Sequence, residues 1–302
     1  MTLSYLHDAL REKVQHRVWV CSDLQQWDPE IAKKNLEIIF ADFHSLNAPC
    51  EQVWNLGDST DGRHPENQRK TITIQAEAFE SLGLPLYYTF GNHDFDLLKK
   101  SPEGGSAMVP AWEILAPRPA WHLPEKLEDF FFRGKLGPFN IYFMGDHACA
   151  KGEWIVTHGK IHGQESQYPH SPEVYQKLRA EWSESPDPIL IAGHYSFPGG
   201  NRPSPLLQNC LPLPDQVKAV FYGHAHLGEE KLLQENNFRK IAYADFQSIP
   251  QLDIAAMENR KGTFLRSALV EIYEDQSVGI FFRNHENRVW EEALVLASNR
   301  KS

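Results

Sequence analysis

The sequence is poor in several things, and each scarcity excludes a class of protein. Only four cysteines occur (Cys21, Cys50, Cys149 and Cys210), widely spread and without a C-x-x-C pair. That is too few for a disulfide scaffold and the wrong spacing for a zinc knuckle. They read as reduced thiols, and the expected location is the cytoplasm. No apolar run approaches the roughly 18 residues of a membrane-spanning helix. Met1 to Gln15 lacks an apolar stretch ahead of a small-residue cleavage site, so no signal peptide is expected either. Positive charge is the minority sign: 30 Lys and Arg stand against 40 Asp and Glu, a formal net charge of -10. Wrapping a polyanion needs clustered Lys and Arg, so neither a nucleic-acid polymer nor a membrane is expected as a partner. Repeats and low-complexity tracts are missing too. With no G-x-x-x-x-G-K-[ST], G-x-G-x-x-G or G-x-S-x-G, the kinase, Rossmann oxidoreductase and serine hydrolase readings have no anchor.

What is present is a 302-residue chain that is 41% hydrophobic and 23% charged, near globular averages and long enough for a large core. Short apolar runs recur, each ending abruptly in polar residues. Val18 to Cys21 runs into Ser22-Asp23-Leu24-Gln25, and Val53 to Leu56 into Gly57-Asp58-Ser59-Thr60-Asp61. Leu86 to Phe90 runs into Gly91-Asn92-His93-Asp94, Ile189 to Ala192 into Gly193-His194, and Val217 to Tyr222 into Gly223-His224-Ala225-His226. Runs of this length and flavour read as strands buried on both faces. Between the first three lie helical patterns. One begins at Asp28-Pro29-Glu30, an N-cap, a first-turn proline and an acidic first turn; the other spans Glu66 to Leu82. Alternation of this kind implies an α/β fold with parallel strands. Arg239 to Ala244, Thr263 to Tyr273 and Val278 to Arg283 read as further strands, with a hairpin turn at Glu274 to Ser277. If they form a second sheet packed on the first, the result is a β-sandwich core flanked by helices.

Every one of the five run ends carries an Asp, Asn or His. In open α/β sheets ligands bind beyond the carboxyl ends of the strands, where short side chains from distant parts of the sequence can meet. Carboxylate and imidazole donors without thiolate suit divalent manganese, iron or zinc. More donors than one tetrahedral site takes point to two metals sharing a carboxylate.

On these motifs the sequence resembles the calcineurin-like metallophosphoesterase superfamily, from Val18 to His226. The resemblance implies a four-layer α/β/β/α sandwich with mixed sheets, one domain over 1–302 with a lid-like insertion at 96–135 and a C-terminal strand segment at 239–297. It implies that Asp23, Asp58 and His226 hold a first metal, that Asp58 bridges to a second, and that Asn92, His194 and His224 complete it. His93 would stand by the leaving group, with Asp61 orienting its ring. The family usually has histidine where this sequence has Gln25. An amide oxygen can coordinate without charge and favours harder ions, so two divalent ions are expected, manganese by preference, with magnesium, iron or zinc also compatible. A similar Asp-x-Gln start occurs in the manganese-dependent ADP-ribose/CDP-alcohol diphosphatase branch. The expected activity is therefore hydrolysis, by a bridging hydroxide, of phosphodiester or diphosphate bonds in small, nucleotide-type phosphorylated substrates. The alternatives are a phosphomonoesterase or protein phosphatase, and a scaffold that Gln25 has left catalytically weak. Gly62-Arg63 reverses the Arg-Gly order usual in the protein-phosphatase branch.

Other residues carry two readings. Arg202, in a Gly/Pro-rich loop, is either a phosphate clamp or an exposed loop arginine. Tyr195 either binds substrate or is a strand-edge tyrosine. Asp94 either supports Asn92 and His93 or caps a helix. His158 and His162 have i,i+4 spacing, but lack the glutamate of H-E-x-x-H.

Overall fold

The computed structural model describes residues 13–62, 64–100, 107–145, 147–150, 153–156, 172–199, 203–204, 207–226, 243–246, 249–254, 256–259 and 263–297. In chain order the elements begin β1 (Val14–Cys21), α1 (Pro29–Ser45), β2 (Gln52–Asn55), α2 (Pro65–Glu80), β3 (Leu86–Tyr88), α3 (Asp96–Lys100), α4 (Pro110–Leu115) and β4 (Trp121–His122). There follow β5 (Phe131–Leu136), β6 (Phe139–Met144), β7 (His147–Ala150), β8 (Glu153–Val156), α5 (Pro172–Glu184), β9 (Ile189–Gly193) and β10 (Val217–Tyr222). The chain ends with β11 (Tyr243–Phe246), β12 (Ile249–Asp253), β13 (Arg266–Tyr273), β14 (Val278–Asn284) and β15 (Val289–Leu296).

The start of α1 is built as its sequence dictates. Asp28 Oδ1 accepts from Glu30 N at 2.9 Å and Ile31 N at 3.2 Å, with Pro29 in the first turn. Side chains alternate across each strand, and this divides the core. Trp19, Cys21 and Val53 face Leu36, Ile39, Phe43, Ile72 and Phe79 of α1 and α2. Val18, Val20 and Trp54 face the other way, onto Ile141, Phe143, Leu190 and Phe221 of the second sheet. The far side of that sheet packs Tyr142 and Ile191 on Tyr175, Leu178 and Trp182 of α5. The result is an α/β/β/α sandwich.

Both sheets are mixed: β15-β14-β13-β1-β2-β3-β4 and β11-β12-β10-β9-β6-β5, besides the β7-β8 pair. The C-terminal strands do not form the second sheet, as their sequence position implied. β13 pairs antiparallel with β1, and β14 and β15 follow it in the first sheet. The parallel strands β2, β3 and β4 grow from one edge of β1, which leaves its other edge for β13. Most of the expected strand at Arg239 to Ala244 lies outside the described residues. Where it is described, the 96–135 stretch, expected to be lid-like, mixes exposed positions with residues that pack into the core. Leu98, Val109, Ala111, Leu115, Trp121 and Leu127 join the α1/α2 cluster, β4 edges the first sheet, and β5 enters the second.

A buried polar chain fastens the C-terminal strands to α1. Trp19 Nε1 donates to Ser267 Oγ at 2.7 Å, and Ser267 Oγ lies 2.7 Å from His285 Nε2. His285 Nδ1 lies 2.8 Å from Asp42, which also receives Arg283 Nε at 2.8 Å and Nη2 at 2.7 Å. Ser267 Oγ accepts from the indole and is placed to donate to Nε2, and burial, which lowers His285, favours the neutral ring with Nδ1–H toward Asp42.

Candidate metal centre

The site forms where β1, β2 and β3 of one sheet and β9 and β10 of the other end side by side. Past the ends of β1, β2, β9 and β10, residues one to four positions on turn their side chains toward one another. Such turns need backbone that ordinary residues seldom adopt: φ is 54° at Asp23, 55° at Asp58, 70° at His224 and 47° at His226. Left-handed non-glycine residues cost about 1–3 kcal/mol each, and here a web of bonds over-determines them. Asp23 N donates to Gly57 O at 3.0 Å, Gln25 N to Asp58 O at 3.0 Å, and Gly223 N to His194 O at 3.2 Å. Gly91 is required by close approach, since a Cβ there would stand 2.2 Å from Asp58 Oδ1.

The donors converge as two groups that share one residue. Ligand atoms of Asp58, His194 and His224 lie within 4.8 Å of one another, and so do those of Asp23, Asp58 and His226. His194 Nε2 is 3.0 Å from Asp58 Oδ2, and His226 Nε2 is 2.9 Å from Asp23 Oδ1. The second oxygen of Asp23 is taken by Ser22 Oγ at 2.6 Å and His224 N at 2.7 Å, which aims Oδ1 at the pocket. Asp58 Oδ1 accepts from His93 N at 2.7 Å. Two carboxylates and three imidazoles, with no thiolate among them, fit hard to borderline divalent cations.

The charges respond to one another. Burial alone would raise the carboxyl of Asp58, but His194, His93 and His224 outweigh it and hold it well below the usual range. Asp23 is likewise lowered, by His226 and His194 against burial. Burial favours neutral His194, yet Asp58 and Asp23 push it up to about 10; Asp23 and Glu258 push His226 up to about 9 against the same opposition. A dication between these groups satisfies the same carboxylates that otherwise hold protons on the imidazoles.

Several residues take parts that the sequence did not reveal. Gln25 is buried, and its Nε2 donates to the shared Asp58 Oδ2 at 2.6 Å. Tyr195, expected to touch substrate, is instead buried at 2% exposure and donates to Asn92 Oδ1 at 2.7 Å, its ring 4.2 Å from that of His224. It steadies two candidate ligands, because the residue after the β9 histidine points back under the pocket. The ring of His93 meets Asp96, with Nδ1 2.6 Å from Oδ2. Asp61 is buried alongside, its backbone carbonyl receiving Gln68 Nε2 at 2.9 Å. Asp94 lies beneath Asp58 and receives Gly91 N at 2.9 Å, Asp58 N at 3.1 Å and the Tyr88 hydroxyl at 2.8 Å; burial and Asp58 push it up to about 7. It holds the turn, rather than capping a helix. Arg63, His158, His162 and Arg202 lie outside the described residues.

No curated protein matches the sequence significantly. Among solved structures, a dimetal phosphatase from Danio rerio is similar with a TM-score of 0.64 at 13% identity, covering 94% of this chain and 99% of that one. Purple acid phosphatase PPD1 from yellow lupin gives 0.55 at 12% identity, covering 95% and 54%, and the NAD nucleotidase NadN of Haemophilus influenzae gives 0.50 at 11%, covering 92% and 53%. The chain thus spans just over half the length of the latter two, and at these identities the likeness is one of fold. The sequence pattern of the calcineurin-like phosphoesterases matches residues 16–228, more than half of the chain and all the ligand-bearing strand ends. The chain belongs to the calcineurin-like phosphoesterase family, hydrolases that act on phosphoester bonds.

Proposed function

We propose that the protein hydrolyses phosphodiester or diphosphate bonds of small, nucleotide-type molecules with two divalent ions, manganese by preference. The observation that carries this reading is the double use of Asp58, a member of both donor groups. Asp23 and His226 would hold the first ion; Asn92, His194 and His224 would hold the second. Bound there, the ions would neutralise phosphate charge and acidify water for an in-line attack. The protein's own part is to place the groups. Asp58 is fixed by the His93 amide and by Gln25, whose neutral amide, in place of an imidazole, supports the diphosphatase-like substrate class by resemblance. His93, with a third of its side chain exposed, faces the open side of the pocket and delivers a proton to the departing oxygen. Asp96 turns the ring by its contact at Nδ1. The described cysteines Cys21, Cys50 and Cys210 are free thiols, as a reducing cytoplasm requires.

Metal-stripped protein given Mn(II) should turn over bis-p-nitrophenyl phosphate faster than p-nitrophenyl phosphate. The opposite preference overturns the diester reading, and turnover of neither at any metal concentration leaves a scaffold.

His93→Ala should lower kcat at least about 10²-fold on alkyl esters, the scale of a positioned acid. The loss should be smaller on p-nitrophenyl esters, because p-nitrophenolate departs without a proton. Asp96→Asn should follow the same pattern with a smaller loss. Near-wild-type rates of His93→Ala on alkyl esters would remove the assignment.

A further inference from the structure

The ring of His226 is held from both edges. Its Nε2 faces Asp23, and its Nδ1 lies 2.8 Å from Oε1 of Glu258, a fully buried carboxylate on the loop between β12 and β13. That loop is anchored to the metal centre. Met257 N donates to the carbonyl of Ser22 at 3.0 Å, immediately before Asp23, and the Thr263 hydroxyl donates to the carbonyl of Glu258 itself. Asn259 ties the loop outward to Glu286 at 2.9 Å.

We infer that Glu258 is a positioning residue for the first metal: it fixes His226 with Nε2 toward the ion and sets the basicity of that nitrogen. The inference rests on the two-metal reading above. A histidine ring offers two nitrogens, and left to itself it can turn or change tautomer. A carboxylate on Nδ1 removes that freedom, keeps the proton on the outer nitrogen and raises the donor strength of the inner one. A buried carboxylate is costly in itself, and for stability alone an apolar side chain of similar volume serves as well or better. Its place against a ligand nitrogen is what the burial accomplishes. His194 is held from behind in the same manner, by the carbonyl of Leu56 at 2.8 Å from its Nδ1, so two imidazoles of the second sheet are backed.

The test uses the metal-stripped full-length chain titrated with Mn(II), with free Mn(II) followed by paramagnetic resonance and binding heats by calorimetry. Wild type should bind two ions. Glu258→Ala should weaken one of them by about 10–100-fold, the usual scale for such partners, and leave the other near wild type; the metal-free melting temperature should fall, because the buried His226 loses its partner. Glu258→Gln, whose amide oxygen can still accept from Nδ1, should recover part of the loss. Unchanged affinity at both sites overturns the inference. So does an equal weakening of both, or failure of both variants to fold, because the role is then structural. A wild type that binds fewer than two ions sinks the two-metal reading itself.

Discussion

Asp58→Asn should lose the bound pair of Mn(II) ions and at least about 10²-fold in turnover, the largest loss of activity expected from any single change. An amide keeps the size of the side chain but has one oxygen and no charge, so it cannot serve both donor groups at once. The variant also turns a donor toward one of its neighbours: Asp58 now accepts from the His93 amide at one oxygen and from Gln25 at the other, with His194 at 3.0 Å. Metal content by elemental analysis and rates on a diester measure the two effects separately. Full metal content with near-wild-type turnover would remove the shared-carboxylate mechanism. The fold should survive the change, because the bonds that shape the turn, Asp23 N to Gly57 O and Asp58 N to Asp94, do not use the Asp58 carboxylate.

Asp42→Asn should cost about 3–5 kcal/mol, the range for breaking a buried ion pair, and lower the melting temperature by on the order of 10 °C. Asp42 is fully buried and receives both Arg283 and His285, so removing its charge strands a guanidinium that is itself only 7% exposed. Burial alone would raise this carboxyl, but the bonds from Arg283 and His285 outweigh it and bring it down to about 2. A lowered carboxylate stabilises fully above its unfolded value, near 3.9, and the contribution fades as pH falls toward about 2. Burial also lowers His285, which it keeps neutral against the pull of Asp42. A buried neutral histidine stabilises above the ordinary imidazole range and loses that contribution as pH drops below it. Both groups therefore weaken the fold in acid, and wild type should lose stability in two stages. Asp42→Asn should lack the more acidic one. Denaturant titrations at several pH values measure this, and a cost under about 1 kcal/mol at neutral pH would show that the network adds no stability.

The candidate donors that the structure brings together were legible because they are local. Asp23, Asp58, His194, His224 and His226 each stand a few residues past an apolar strand run, so sequence position translates into spatial position with no knowledge of loops. The first helix was legible for the same reason, from Asp28 and Pro29. What escaped is what depends on remote loops. Glu258 stands in Ala256-Met257-Glu258-Asn259, after β12, a strand that was not read from the sequence, and the bond from Met257 to Ser22 helps bring it to His226. Asp96 opens the insertion expected at 96–135, and its contact with His93 depends on a tight turn inside Gly91 to Asp96. The sense of Tyr195 could not be read, since a strand-edge hydroxyl can point either way. Its bond to Asn92 involves two strand ends far apart in sequence. The allocation of β13 to β15 failed because pairing depends on which edge of β1 is free, and composition does not encode that.

Asp23, Asp58 and Asn92 come from one sheet, while His194, His224 and His226 come from the other. Ions held between them would act as a rivet through the sandwich. Loading would then tighten the union of the two halves as well as arm the chemistry, and resistance to heat would become a gauge of free metal, rising with the logarithm of its concentration above the dissociation constant.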